Sequence, residues 1–280
     1  MQNKTLMLTG AFGLVGQNIC KVLERDYPNV EVTKVKYNDV DVGVFDYIIH
    51  AAGYGQPLKF SEDKLKTIDI NTRVTAHLFN WLKPDGKLLF VSTSEVYSGA
   101  KSPYKETDIG TTTPQHPRAC YIESKRCGEA ICLSSGADVK IARLALAYGP
   151  GTKKGDTRVL NQFIEKAITT GKIVMKDKGE AVRTYGYVED VADQILKILF
   201  YGEDVVYNVG GASRTTIKQL ADQIAEITNA TVIPGEEGLA GAPEDVQLDL
   251  SKVINEFKVE FTPMSYGLLE TINYQKELYE

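Results

Sequence analysis

The chain predicts an α/β fold, a Rossmann-type doubly wound parallel sheet with a smaller C-terminal lobe, on three observations. Short apolar, strand-length segments alternate with helical segments as far as Leu144, the pattern of a parallel sheet covered by helices on both faces. The first strand runs straight into a glycine loop, Thr9-Gly10-Ala11-Phe12-Gly13-Leu14-Val15-Gly16, that opens a helix. Beyond Tyr148-Gly149-Pro150-Gly151 the alternation gives way to shorter, irregular pieces, as a second lobe would, with the site between the two.

Leu6 to Thr9 reads as a short buried strand, and Gln17 to Arg25 as a helix with Ile19, Val22 and Leu23 on one face. Strands are expected at Val30 to Tyr37 and at Tyr47 to His50, the latter ending in Ala51-Ala52-Gly53. Helical segments at Asp63 to Lys66 and Thr72 to Leu82 lead to an apolar strand, Lys87 to Ser92. A helix around Arg118 to Leu133 precedes the strand Val139 to Leu144. After the charged loop Lys153 to Arg158 come a helix near Val159 to Thr169, irregular pieces, a strand at Val205 to Val209 and an amphipathic helix at Thr216 to Thr228. A Gly- and Pro-rich stretch from Ala230 leads to a closing helix at Tyr266 to Leu278. The expected division is residues 1–150 and residues 151–280, with segments near 183–210 returning to the first domain.

At 280 residues, 43% hydrophobic and 25% charged, the composition is that of a soluble globular protein. A net charge of −5 does not favour nucleic acid, and an anionic small ligand would need a local cluster of bases. No apolar stretch approaches the roughly 20 residues that span a bilayer, and Thr5 to Thr9 is too short for a secretory signal. A cytoplasmic location with no membrane partner is expected. The four cysteines (Cys20, Cys120, Cys127, Cys132) form no CxxC pair and read as reduced, partly buried thiols. With three histidines far apart in sequence, no metal site is expected.

The glycine loop lies between a strand and a helix, the context in which it holds a dinucleotide pyrophosphate. Gly10 permits the tight turn, Gly13 lets phosphate approach the backbone, and Gly16 allows close helix–strand packing, with amides at the helix N-terminus facing the ligand. Phe12, Leu14 and Val15 belong to the same loop. The spacing is G-x-x-G-x-x-G, and a plain strand–helix turn fits it as well. About 20 residues on, where a carboxylate would select the ribose of NAD, the chain reads Thr33-Lys34-Val35-Lys36-Tyr37-Asn38. Lys34 and Lys36 suit a 2′-phosphate, whereas Asp39 and Asp41 lie close enough to reach the adenosine. Both NAD and NADP stay open.

Tyr121-Ile122-Glu123-Ser124-Lys125 sets a phenol and an ammonium one helical turn apart, where the ammonium is expected to draw the phenol pKa down. Tyr97 and Lys101 have the same spacing but sit in a glycine-containing loop, so the helical pair is preferred. Ser92-Thr93-Ser94-Glu95 stands where a parallel strand ends, the usual edge for ligand chemistry. There Ser92 and Ser94 flank a Thr93 hydroxyl able to bind the oxygen that Tyr121 deprotonates, and Glu95 is either a proton carrier or a solvated loop carboxylate. Arg143, Arg158 and Arg183 are candidates for diphosphate contacts, Arg183 first among them because Tyr185-Gly186-Tyr187 follows it.

Taken together these residues resemble the extended short-chain dehydrogenase/reductase family, in its nucleotide-sugar-modifying branch, over nearly the whole chain. His50-Ala51-Ala52-Gly53 is similar to the family's third-strand signature and Asp69-Ile70-Asn71 to its following Asn-bearing helix start. Arg143 with Tyr148-Gly149-Pro150, the segment Arg183 to Asp190, and Tyr207-Asn208-Val209-Gly210-Gly211 resemble its later signatures. The resemblance implies that Ala51, Ala52, Gly53, Asn71 and Ser92 join the glycine loop, Lys34 and Asp39 around NAD(P), and that Tyr148 joins Ser94 and the arginines in a substrate-binding lobe. It further implies that Thr93, Tyr121 and Lys125 oxidise a sugar C4 hydroxyl of a nucleotide-diphosphate sugar, and that the protein is a homodimer joined through the Tyr121 helix. Ser-Thr-Ser-Glu-Val-Tyr is more similar to UDP-glucuronate decarboxylases and 4,6-dehydratases than to epimerases. Two departures stand out: Leu146 replaces an expected substrate-side Asn, and no arginine appears near Ala240 to Asp245. The expected activity is therefore transient C4 oxidation followed by dehydration or decarboxylation. A 4-epimerase, an NADPH-dependent ketosugar reductase and a catalytically silent dinucleotide-binding regulator are the alternatives.

Overall fold

In the computed structural model, which describes residues 4–36, 43–236 and 245–280, the first half runs β1 (Lys4–Thr9), α1 (Leu14–Asp26), β2 (Val30–Val35), β3 (Phe45–His50), α2 (Pro57–Glu62), α3 (Lys64–Asp69), α4 (Thr75–Leu78), β4 (Leu82–Thr93), α5 (Ala119–Ser134) and β5 (Asp138–Leu144). It continues with β6 (Leu146–Tyr148), α6 (Val159–Thr170), β7 (Lys172–Val174), β8 (Val182–Tyr187), α7 (Val188–Tyr201), β9 (Val206–Val209), β10 (Ser213–Thr216), α8 (Ile217–Thr228), β11 (Thr231–Ile233), β12 (Asp245–Val246), α9 (Ser251–Phe257) and α10 (Met264–Tyr279).

The central sheet has the order β2-β1-β3-β4-β5-β9, and each of these pairings is parallel. The chain steps out from β1 to β2 and returns on the other side to β3, so a crevice opens beyond the carboxyl ends of β1 and β3. Leu6, Met7 and Leu8 are fully buried because β1 is covered on both faces, which is why its sequence is a continuous apolar run. On one face Ile19, Val22 and Leu23 of α1 meet Val191, Ile195 and Leu199 of α7. On the other, Met7, Ile48, Leu88 and Phe90 pack with Leu78 and Cys132. A second core joins Tyr148, Leu160, Ile164, Tyr185, Leu220 and Leu268 beneath a four-stranded sheet in which β8 pairs with β6, β10 and β12.

Departures from the sequence expectation are clearest in two stretches. Leu82 begins β4 and pairs with Phe45, so the helical stretch before it is shorter than its periodicity suggests. That stretch is broken into a π-turn at Ile70–Val74, α4 and a 3-10 turn at Phe79–Trp81. The largest miss is α7, which follows β8 without a break: its N-cap is Tyr187, with no side-chain cap, and the neighbouring Gly186 lies inside β8 rather than in a turn between the two. Among the described residues no helix is long and apolar enough to cross a membrane.

Candidate active site

At the end of β1, Gly10 turns with φ +75°, and a β-carbon there would collide with the backbone of Ala51 and Ala52. Gly16 likewise lies against the Gly10 carbonyl, where any side chain would clash. Both glycines are therefore demanded by close backbone approach. Gly13 is the N-cap of α1, whose first turn has neither a side-chain cap nor an acidic residue, leaving its amides and positive dipole end available to an anion.

His50 ties this loop to the next strand. Its Nε2 lies 3.2 Å from the Ile70 carbonyl, which can only accept, so Nε2 carries the proton and Nδ1 accepts from the Thr9 hydroxyl at 2.7 Å. Thr9 Oγ1 in turn accepts from the Ala52 amide at 3.3 Å. Complete burial, with the Lys125 charge adding to it, pushes the imidazole down to about 3 from 6.5. The imidazole is neutral in both folded and unfolded protein above pH 6.5. Below that the unfolded chain binds a proton that the native site refuses, so stability falls as pH drops from 6.5 towards 3. Acidification from pH 7 to 5 is expected to remove about 2 kcal/mol by this route. Thermal unfolding of His50→Gln should show a flatter slope over that interval, and an unchanged slope would contradict the assignment.

β4 ends at the floor of the crevice. Thr93 caps the 3-10 turn Ser94–Tyr97, its hydroxyl accepting from the Glu95 amide at 3.3 Å. That turn buries Val96 and Tyr97 and leaves Glu95 lining the cavity. Facing it, α5 presents Tyr121 and Lys125 on one stripe. The Tyr121 ring stacks on Phe60 of α2, with centroids 4.7 Å apart and planes 2° apart. Lys125 Nζ donates to the Val91 carbonyl at 2.7 Å and lies 4.7 Å from the Phe90 ring centroid.

The electrostatics correct one expectation. The Tyr121 phenol is pushed up to about 12, by burial and then by the Glu95 charge, against the Thr93 hydrogen bond and the Arg118 and Arg158 charges. Lys125 does not draw it down, because that ammonium is directed to the Val91 carbonyl. Burial lowers Lys125 itself to about 8, with Glu129, one turn further on, opposing the shift. Burial also raises the Glu95 carboxyl, opposed by the charge and hydrogen bond of Arg118.

A cavity of about 610 Å³ gathers these groups. It is lined by Gly10, Phe12, Gly13, Leu14, Val15 and Gly16 of the first loop, by Ala51, Ala52 and Gly53, and by Ser92, Thr93, Ser94, Glu95, Tyr121, Lys125 and Arg158. Arg158 gives Nε and Nη2 to Asp156 at 3.0 and 2.6 Å, and the Asp156 carboxylate also accepts from Gln56 at 3.0 Å. Asp156 is only 4% exposed, so this arginine is held in place before any ligand arrives.

Five other expected residues do not reach the cavity. Lys34 lies beside Cys20, whose thiol it influences, and it is Lys36 that lines the crevice. Asn71 is fully buried behind the site, its Nδ2 donating to Ser124 Oγ at 2.9 Å. Arg143 gives Nη2 and Nε to Glu129 at 2.6 and 3.0 Å and Nη1 to Tyr97 Oη at 3.0 Å and the Glu106 carbonyl at 2.9 Å. Its fork is spent tying β5 to α5. Tyr148 is 1% exposed in the second core. Arg183 donates Nη1 to the Val182 carbonyl at 2.6 Å, and β8 keeps it away from the cavity lining. Asp39 and Asp41 lie outside the described residues. Tyr97 is fully buried and donates to Asn208 Oδ1 at 2.7 Å, so the competing Tyr–Lys spacing has no access to the crevice.

Sequence reasoning missed Arg118, Phe60, Gln56, Asp156 and Glu129. Glu129 was detectable, since it extends the Tyr121 and Lys125 stripe by another four residues. Its carboxylate accepts from Ser92 Oγ at 2.5 Å, so the Ser92 hydroxyl is used within the protein. Leu146, noted as a departure, lines the cavity at 37% exposure and makes that wall apolar.

The model of the NAD dependent epimerase/dehydratase family matches residues 6–210. UDP-glucuronic acid decarboxylase 1 of Xenopus tropicalis is 28% identical over 310 residues, spanning 98% of this chain and 73% of its own. Among solved structures, an epimerase of Methanothermobacter thermautotrophicus superposes with a TM-score of 0.85 at 19% identity, over 99% of this chain and 94% of that one. UDP-glucuronic acid 4-epimerase of Bacillus cereus, solved with UDP-glucuronic acid and NAD, gives 0.83 at 19% identity, over 98% and 100%. At those identities the structures speak for the fold.

Proposed function

This chain belongs to the NAD dependent epimerase/dehydratase family, and from that premise we propose that it oxidises C4 of a nucleotide-diphosphate sugar transiently, then decarboxylates or dehydrates the sugar. One observation carries the reading. Thr93, Glu95, Tyr121 and Lys125 share a single cavity with the glycine loop, although they come from β4, the turn after it and α5 and lie up to 115 residues from it.

The crevice fits a dinucleotide on its own terms. Close backbone packing excludes side chains at Gly10 and Gly16, and the uncapped amides of α1 suit a pyrophosphate. The residues that would hold the group are Gly10 to Gly16, Lys36 and Ala51 to Gly53. When bound, an oxidised nicotinamide supplies the two-electron acceptor for C4. Tyr121 moves the proton of the C4 oxygen and Thr93 holds that oxygen, while Lys125 anchors the floor through the Val91 carbonyl. With C4 a ketone, an electron pair left on C5 spreads onto the ketone oxygen. In decarboxylation the C5–C6 bond breaks, carbon dioxide leaves, and Glu95, protonated from solvent, donates a new proton to C5; the ketone would then take back the hydride held by the nicotinamide and the proton held by Tyr121. In dehydration the C5–H bond breaks towards Glu95 and the C6 hydroxyl leaves as water. Decarboxylation of a UDP-uronic acid is the preferred version because the curated relative carries that activity in its name. Arg158, pre-oriented by Asp156, is a guanidinium in the cavity wall suited to meet an acidic group of the substrate.

The deciding experiment offers UDP-, GDP-, dTDP- and CDP-sugars, uronic acids included, to the purified protein with NAD or NADP and follows products by NMR. Conversion without net consumption of either dinucleotide is expected. Net consumption of NADPH would point to a ketosugar reductase, and dinucleotide binding without any conversion to a regulatory binder. We take NAD as the cofactor because the redox cycle is internal. Lys36→Ala should then leave NAD affinity within about two-fold, whereas an NADP-selective loss of tenfold or more, on the order of 1.4 kcal/mol, would favour the reductase.

The same reading includes a homodimer joined through α5 and a cytoplasmic location. Leu133 of α5 is 55% exposed and Leu65 of α3 is 82% exposed, and α3 packs against α5, which supports a partner on that face. Sedimentation of wild type against Leu65→Glu tests it.

A further inference from the structure

Arg118 stands immediately before α5 as its N-cap, three residues ahead of Tyr121. Its Nη2 donates to Glu95 Oε1, and its guanidinium carbon lies 5.3 Å from the centroid of the Phe60 ring, the ring on which Tyr121 stacks. A pair built for stability would close the guanidinium fork on both carboxylate oxygens. Here Arg118 Nε and Glu95 Oε2 are both buried without a hydrogen-bond partner among the described residues, an arrangement that sacrifices stability. It leaves one carboxylate oxygen uncommitted on a side chain that lines the cavity.

We propose that Arg118 is the positioning residue for Glu95: it grips Oε1, fixes the carboxylate beside Tyr121, and reserves Oε2 for proton exchange with the substrate. This rests on the reading of Glu95 as the group that exchanges the C5 proton. Most of the other titratable groups near Glu95 are engaged elsewhere. Tyr121 shares the cavity as a neutral phenol, and Lys125 is bound to the Val91 carbonyl. From β5, Arg143 is held by Glu129, and from α5, Arg126 donates to the Val96 carbonyl and Glu123. Across the cavity Arg158 is held by Asp156, and Lys59 lines the α2 side. Among the described residues Arg118 is the cation hydrogen-bonded to Glu95, and its charge acts on that carboxyl, so it sets both direction and charge, whereas Lys36, Lys59 and Lys153 line the cavity with no hydrogen bond to Glu95.

The test compares Arg118→Met, which keeps an apolar stem over Phe60, with Arg118→Lys, which keeps the charge, and with Glu95→Gln. In the Met variant kcat should fall about tenfold or more with KM nearly unchanged. The limb of the pH–rate profile that is missing in Glu95→Gln should move to higher pH by about one unit, since losing a nearby cation favours the neutral carboxyl. The Lys variant should hold that limb near its wild-type position while kcat stays lowered, which separates charge from geometry. Infrared titration of the carboxyl band absent from Glu95→Gln should move in parallel. If Glu95→Gln cripples turnover yet both Arg118 variants keep the wild-type kcat and pH limb, the positioning role is overturned and the reading of Glu95 stands. If Glu95→Gln turns over normally, the reading of Glu95 itself is overturned.

Discussion

Tyr121→Phe is expected to lower turnover by about 10²–10⁴-fold, the usual contribution of a positioned acid–base group, with fold and dinucleotide binding intact. The substitution removes a single hydroxyl. Its aromatic ring remains to stack on Phe60, the contact now made at 4.7 Å, and α5 loses no backbone bond. With the phenol pushed up to about 12 by burial and the Glu95 charge, the group rests protonated at neutral pH, so it must first release that proton to solvent before it takes the one from the C4 hydroxyl, and it gives that proton back when the ketone is reduced. Steady-state kinetics beside dinucleotide titration measures both halves. A variant that turns over near the wild-type rate would remove Tyr121 from the chemistry, and Tyr97 cannot replace it while its hydroxyl is bound to Asn208 at 2.7 Å.

Glu95→Gln carries the second large expected effect, a loss of about 10²–10⁴-fold in product formation that falls after C4 oxidation. Gln fills the same space and can still bond Arg118, but cannot exchange a proton. A 4-keto sugar should therefore accumulate on the variant, trapped by borodeuteride and read by mass spectrometry. In wild-type enzyme run in deuterium oxide, a decarboxylated product should carry deuterium at C5. Product formed at an undiminished rate would show that Glu95 is only a loop carboxylate, and 4-epimerisation would become the better account of the site.

Much of this site was legible from local spacing. A glycine turn between a strand and a helix, a phenol and an ammonium one helical turn apart, and a Thr–Ser–Glu run at a strand end each follow from periods of two and 3.6 residues. The arginines were not legible in that way. Arg143, Arg158 and Arg183 are chemically alike, and only partners distant in sequence distinguish them: Glu129 and Tyr97 occupy the first, whereas Asp156 and Gln56 set the second in the cavity wall.

By itself the sequence determined the strand–helix alternation from β1 to β5, the glycine turn that lies at the end of β1, and the choice of Tyr121 and Lys125 over Tyr97 and Lys101, because each depends on neighbours a few residues away. Tertiary structure alone decided that Lys36 rather than Lys34 faces the crevice, that Arg118 holds Glu95, and that the Tyr121 phenol is raised rather than lowered. The physical reason is shared. Burial and charge act through space, and the groups that bury or face these side chains come from elements whose proximity exists only once the sheet has assembled.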